Sequence, residues 1–182
     1  MEIPLQNEQG LVRRRWHLCV LGLIVLFGLV LRLFHLDWQG VWYDESFSIA
    51  HSAKPLPELF RVLLQDIAHP PLHYLVLGAW FRIVGYGAAE ARTVSVIWGT
   101  LAIPLVYVLA RRFADKGASL CAAFLLAISQ IAVYFSQEAR PYAQAQFFSL
   151  LTATAFVDLL RQPVLPRAFL FAGAGLLLPY TH

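Results

Sequence analysis

Asp44 and Glu45 stand side by side in the segment Trp38-Gln-Gly-Val-Trp-Tyr-Asp-Glu-Ser-Phe-Ser-Ile-Ala-His51, just past an apolar run. A carboxylate there can take a proton from a hydroxyl, and its neighbour can orient it or help hold a divalent cation. The same pair also suits a helix start, with Asp44 capping a helix that begins at Glu45 and Glu45 favoured by the helix dipole. A second cluster is His69-Pro70-Pro71, where the prolines fix an extended entry into an apolar helix and leave His69 at its mouth. That imidazole can donate to a phosphate oxygen, or be merely solvated. The third cluster is Glu138-Ala-Arg140-Pro-Tyr142. Arg140 offers a charged fork suited to phosphate, Tyr142 a hydroxyl, and Pro141 a first helical turn with free N–H groups. The plainer alternative is that Glu138 and Arg140 pair with each other or with lipid headgroups.

The elements that must position these groups are membrane helices. Of the 182 residues, 59% are hydrophobic and 14% charged, well below the quarter or so of charged residues in soluble domains. The apolar residues come in long blocks, so the expected fold is an all-α polytopic membrane protein. The net charge of +3 includes no basic aromatic patch, which leaves nucleic acid out as a partner. Cys19 and Cys121 lie inside apolar runs, so neither a disulfide nor a metal site is expected of them.

His17 to Leu36 is twenty residues long, interrupted by Arg32, and spans the hydrocarbon. It is too long for a signal-peptide core and no small-residue cleavage site follows, so it reads as a retained anchor. Arg13-Arg14-Arg15 before it should stay cytoplasmic, making residues 1–16 a cytoplasmic N-terminus and 17–182 the membrane module. The stretch Leu72–Val84 has only thirteen residues, which suits an interfacial or re-entrant helix. If it does not cross, eight basic residues fall inside and six outside; if it crosses, the numbers reverse. The positive-inside rule thus favours five membrane segments at about 17–36, 93–110, 118–136, 141–160 and 168–182. Residues 37–92 then form a long first outer loop, and residues 136–142 a tight second one. Within the long loop, Leu59, Phe60, Leu63, Leu64 and Ile67 recur at helical spacing after Pro57, as in a helix lying on the membrane surface.

Arg32 and Arg92 flank apolar segments and read as interfacial anchors, and Trp38, Trp42 and Tyr43 as an aromatic belt. Gly22, Gly28, Gly173 and Gly175 suit close helix packing. The sequence ends inside an apolar segment, which suggests a portion of a longer protein.

Taken in order, the Asp44-Glu45 pair, the His69-Pro-Pro motif, Arg92-Thr-Val-Ser95, the basic turn Arg111-Arg112 and Gln137-Glu-Ala-Arg-Pro-Tyr142 resemble a known family. The pattern is similar to the amino-terminal part of polyprenyl-phosphate-sugar-dependent glycosyltransferases of the integral-membrane GT-C fold. Within these it lies near the protein-mannosyltransferase and aminoarabinose-transferase branch, glycosyltransferase family 39.

That resemblance implies an inverting transfer of a sugar from a polyprenyl-phosphate donor to a protein, lipid or glycan hydroxyl on the outer face of a bacterial-type plasma membrane. It makes Asp44 the catalytic base and Glu45 its support. It places His69, Arg140 and Tyr142 at the carrier phosphate and Glu138 as a second acidic group. His69 stands where some relatives have a lysine. Ala68 stands where some carry a metal-binding glutamate, which counts against a metal site of that kind while leaving a divalent ion open as a cofactor. Family members are longer, and the isolated chain is expected to be inactive. Two other classes stay open: a transporter or flippase of lipid-linked sugars, whose pathway Arg32, Arg92 and Glu138 would line, and a non-catalytic membrane subunit in which Asp44 is dispensable.

Overall fold

The computed structural model describes residues 6–65 and 70–181, and among these residues every regular element is a helix. The nine are α1 (Gln6–Leu33), α2 (Tyr43–Ser52), α3 (Leu56–Gln65), α4 (Pro71–Val84), α5 (Ala88–Ala110), α6 (Lys116–Ile128), α7 (Gln130–Ser136), α8 (Tyr142–Arg161) and α9 (Leu165–Leu177). Three are long and apolar enough to cross a membrane: α1 over Arg15–Leu33, α5 and α8. The chain is therefore an all-helical polytopic membrane protein, as its composition requires.

Two expected spans differ in form. The stretch 118–136 is not one straight helix but α6 and α7, bent by 55° at Ser129; counted as one broken span, the pair makes up to four candidate spans. The fifth, 168–182, contains a helix of thirteen residues, α9, fewer than the 20 or so that a crossing normally needs. It lies against α8, and beyond its end the Tyr180 carbonyl accepts from Leu72 N–H at the start of α4 (2.9 Å).

The break at Ser129 has a local cause and a distant partner. Ser129 sits at φ −58°, ψ 117°, outside the helical region, and its hydroxyl accepts from Ala132 N–H to cap α7. The last carbonyls of α6 then lose their helical donors. Arg32 supplies replacements for two of them, Ala127 O (3.1 Å) and Leu126 O (3.3 Å), while also donating to Gly28 O of α1 (2.9 Å) and Ser136 Oγ of α7 (3.2 Å). Arg32 is fully buried, so it is not the snorkelling anchor expected from its place near a helix end. Gly28 and Gly99 make the room, since a Cβ at either position would collide with neighbours that include this guanidinium. Gly22 and Gly173, by contrast, face open space.

Below this clamp, Val20, Leu21, Ile24 and Val25 of α1 pack on Ile103 and Tyr107 of α5 and on Leu120, Ala123 and Ala127 of α6. The alanines let the backbones approach, the usual device where lipid supplies no hydrophobic drive. At the end of the bundle holding the α5–α6 and α8–α9 turns, Arg112 pairs with Asp158 (2.5 Å) and Arg167 donates to Asp158 O (2.9 Å). The opposite end carries α2, α3 and α4, inserted between α1 and α5.

These short helices form a shelf. Leu77 and Phe81 of α4 pack on Ala91 and Val94 of α5 and on Ala139. Leu59 and Leu63 of α3 pack on Tyr74, while Phe60 and Leu64 on the same helix stay exposed. The helix expected after Pro57 is therefore present, beginning at Leu56, with part of its apolar face packed on protein. Ile67 lies outside the described residues.

Candidate active site

Residues 34–42 make an irregular turn out of α1, and α2 begins at Tyr43 with Trp42 at the N-cap. Asp44 is thus not the cap, and α2 does not begin at Glu45: both carboxylates lie in the first turn. Glu45 is the third helical residue, the place from which a carboxylate is favoured by the helix dipole.

From there the two neighbours part company. Glu45 is 1% exposed. Its Oε2 lies 2.8 Å from Arg92 Nη2, and its Oε1 accepts from Arg92 Nε (3.0 Å) and from Ala139 N–H (2.8 Å). Burial pushes the Glu45 carboxyl up, but the hydrogen bonds from Arg92 and Ala139 outweigh it and hold the group below the usual carboxylate range. Arg92 is buried too, on the second turn of α5 instead of in a loop. Its remaining donors go to the carbonyls of Leu36 (2.8 Å), Gln39 (3.0 Å) and Gly40 (3.3 Å). One ion pair therefore ties together the turn after α1, the start of α2, α5 and the α7–α8 connection. Arg92 is a structural hub, not an interfacial anchor.

Asp44 points the other way. Its side chain is 64% exposed, and its Oδ2 lies 3.4 Å from Arg140 Nη2. Arg140 also lies within 3.5 Å of the Tyr142 hydroxyl, with its Cζ 5.6 Å from that ring's centre. The Arg140 backbone is fixed by Ser95 Oγ, which donates to its carbonyl (3.2 Å). Glu138, expected as Arg140's alternative partner, is instead buried beside Tyr134, four residues earlier. Burial pushes the Glu138 carboxyl above its usual range and the Glu45 charge adds to this, while the Tyr134 bond and the Arg140 charge oppose it.

Trp42, Asp44, Glu45, Tyr134, Phe135, Glu138, Arg140 and Tyr142 line one cavity of about 190 Å³. The structure thus brings together five of the six residues singled out in the sequence: Asp44, Glu45, Glu138, Arg140 and Tyr142. The sixth, His69, lies outside the described residues, as does Ala68. Tyr134 and Ser95 were not anticipated as participants. Tyr134 carried no signal of its own, whereas Ser95 closes the Arg92-Thr-Val-Ser95 motif already noted in the sequence. Among the described residues no three His, Cys, Asp or Glu side chains converge as ligands for a metal ion.

An exposed carboxylate, a guanidinium fork and a phenol on one cleft can together bind an anionic ester and accept a proton. No curated protein and no solved structure matches the chain significantly. The profile of the family described as dolichyl-phosphate-mannose-protein mannosyltransferase does match, over residues 68–181, which include α4 to α9 and the Glu138–Tyr142 side of the cavity. That is more than half of the chain, and the chain belongs to this family of membrane glycosyltransferases of the GT-C type.

Proposed function

We propose that the chain forms the donor side of an inverting glycosyltransferase that moves a sugar from a polyprenyl-phosphate carrier to an acceptor hydroxyl at the outer membrane face. The observation that carries this reading is the divergence of the two adjacent carboxylates. Glu45 is consumed by Arg92 and Ala139, whereas Asp44 remains exposed on the cavity beside Arg140. Asp44 is then the base and Glu45 the strut that sets its place.

In the reaction, the acceptor oxygen attacks the anomeric carbon while the bond from that carbon to the phosphate oxygen breaks. The acceptor proton passes to Asp44, and polyprenyl phosphate leaves with the electron pair. Arg140 holds the donor phosphate through binding and transfer alike, with Tyr142 and the first-turn N–H groups of α8 as further donors. Without donor, Arg140 pairs with Asp44; an arriving phosphate competes for the guanidinium and frees the carboxylate to act as base. His69, two residues before α4, is assigned to the same phosphate. Tyr134 and Glu138 form the inner wall, where Glu138 is a polar group for sugar hydroxyls.

Orientation follows from charge. Arg111, Arg112, Lys116, Arg161 and Arg167 gather at the end of the bundle opposite the cavity, which the positive-inside rule assigns to the cytoplasm. The N-terminus is then cytoplasmic and the cavity faces out. A flippase pathway finds less support: Arg32 and Arg92, the buried cations it would use, are both engaged by protein groups.

The test is transfer from a panel of radiolabelled polyprenyl-phosphate sugars in membranes carrying the full-length protein, comparing wild type with Asp44→Asn. Loss of transfer with donor binding retained supports the reading. Equal transfer in the two reduces Asp44 to a surface residue, and no transfer from any donor by wild type favours the transport or scaffold classes.

A further inference from the structure

His73 and Gln144 belong to none of the clusters above, yet both are buried, at 0% and 1% exposure. They sit in the first turns of α4 and α8, 71 residues apart, and His73 Nδ1 lies 3.2 Å from Gln144 Oε1. The amide oxygen only accepts, so Nδ1 carries the proton and donates. The imidazole also faces the Ala139 carbonyl and feels the Arg140 charge. The α7–α8 connection is therefore gripped on several sides: Glu45 takes the Ala139 N–H, Ser95 takes the Arg140 carbonyl, and His73 faces the Ala139 carbonyl and is bonded to Gln144 just beyond.

The pair is a poor device for stability alone. His73 Nε2 and Gln144 Nε2 find no hydrogen-bond partner among the described residues. Two buried polar groups left half satisfied cost more than an apolar pair of similar volume would. What they supply instead is direction, because a hydrogen bond fixes the rotation of one helix start against another where apolar contact would let it slide.

We infer that His73 and Gln144 are positioning residues that hold the Ala139–Arg140 segment in register, so that the Arg140 guanidinium meets the donor phosphate. The inference rests on the phosphate role proposed for Arg140. Neither residue touches the reacting atoms; each acts through the backbone that carries Arg140.

The experiment uses the full-length protein in detergent, with transfer measured against donor concentration and thermal unfolding followed in parallel. His73→Leu and Gln144→Leu should raise the donor KM about tenfold and leave kcat within about threefold, since ground-state binding is what a displaced Arg140 loses. His73→Asn, whose amide nitrogen stands in for Nδ1, should stay within about twofold of wild type. The double variant His73→Leu/Gln144→Leu leaves neither side chain of the pair orphaned, so it should fold even if the single variants do not, and still show the raised KM. Wild-type KM in that double variant overturns the inference, as does a lowered Tm with KM unchanged in the single variants. Arg140→Gln separates the two levels. If it leaves the donor KM unchanged, the phosphate reading falls and this inference with it; if it raises KM while the leucine variants do not, only the inference falls.

Discussion

The guanidinium of Arg92 and the carboxylate of Glu45 meet through two hydrogen bonds, Nε to Oε1 at 3.0 Å and Nη2 to Oε2 at 2.8 Å, with both side chains almost wholly out of contact with solvent. This fork-on-fork geometry is the form in which an arginine and a carboxylate fix each other in angle as well as distance. Because Glu45 also holds the Ala139 N–H, the pair links the two connections on which Asp44 and Arg140 stand.

Removing one member should therefore be severe. Arg92→Leu leaves Glu45 as a buried, unpaired carboxylate and frees three loop carbonyls. Breaking a buried pair in this way costs about 3–5 kcal/mol, so little folded protein should be recovered in detergent. Size-exclusion profiles and thermal unfolding of Arg92→Leu beside wild type check this; a wild-type Tm would contradict it.

Asp44→Asn is expected to behave in the opposite manner. The side chain is mostly exposed and keeps its size, so folding should be unaffected. Transfer should fall by about 10²–10⁴-fold, the range supplied by a positioned general base. Rates of product formation at saturating donor and acceptor give the answer.

Arg32→Lys should fail to rescue what Arg32→Leu destroys. The clamp on the α6–α7 break uses donors in several directions at once, to Gly28 O, Leu126 O, Ala127 O and Ser136 Oγ. An ammonium is a single point and cannot span them. Each carbonyl left bare in the interior costs about 1–3 kcal/mol, so both variants should unfold at clearly lower temperature, the lysine only slightly later than the leucine.

Two carboxyls on one cavity predict opposite pH responses. Glu45 titrates below its usual range when folded, so it contributes stability above the unfolded value of about 4.3 that is lost as pH falls through the folded value. Glu138 titrates above its usual range. Its contribution is present below about 4.3 and lost as pH rises through the folded value. Glu138→Gln should therefore gain in Tm relative to wild type as pH is raised from 4 toward neutrality, by roughly the linkage slope of one proton. Thermal unfolding over a pH series decides it: a Tm difference that does not change with pH would show that Glu138 titrates normally.

Topology is open to labelling. In a background with Cys19 and Cys121 replaced, a cysteine at Tyr43 (86% exposed) and one at Phe113 (72% exposed) mark the two ends of the bundle. The proposed orientation expects an impermeant thiol reagent added outside to reach the first only. Labelling of the second reverses the assignment.

Composition and block length by themselves determined that this chain is a helical membrane protein, because apolar runs of such length have no stable state in water. The order of its acidic, basic and proline motifs resembles a glycosyltransferase family, and the family profile matches the part of the chain from residue 68 to 181. Pairwise relations were not legible. Arg32 and Arg92 both stand near the ends of apolar runs, and a one-dimensional reading turns such residues toward the interface. Only the packed bundle shows Arg32 against the carbonyl of Leu126, 94 residues away beside the helix break, and Arg92 against a carboxylate 47 residues away. The break itself was not legible, since an unbroken span also tolerates a polar pair such as Ser129-Gln130; the helix can end there because a cation from α1 takes up the carbonyls it frees. Likewise Asp44 and Glu45 are indistinguishable as neighbours in a list. Successive helical residues point about 100° apart, and tertiary contacts on one of those two directions made Glu45 a strut and left Asp44 open to the cavity.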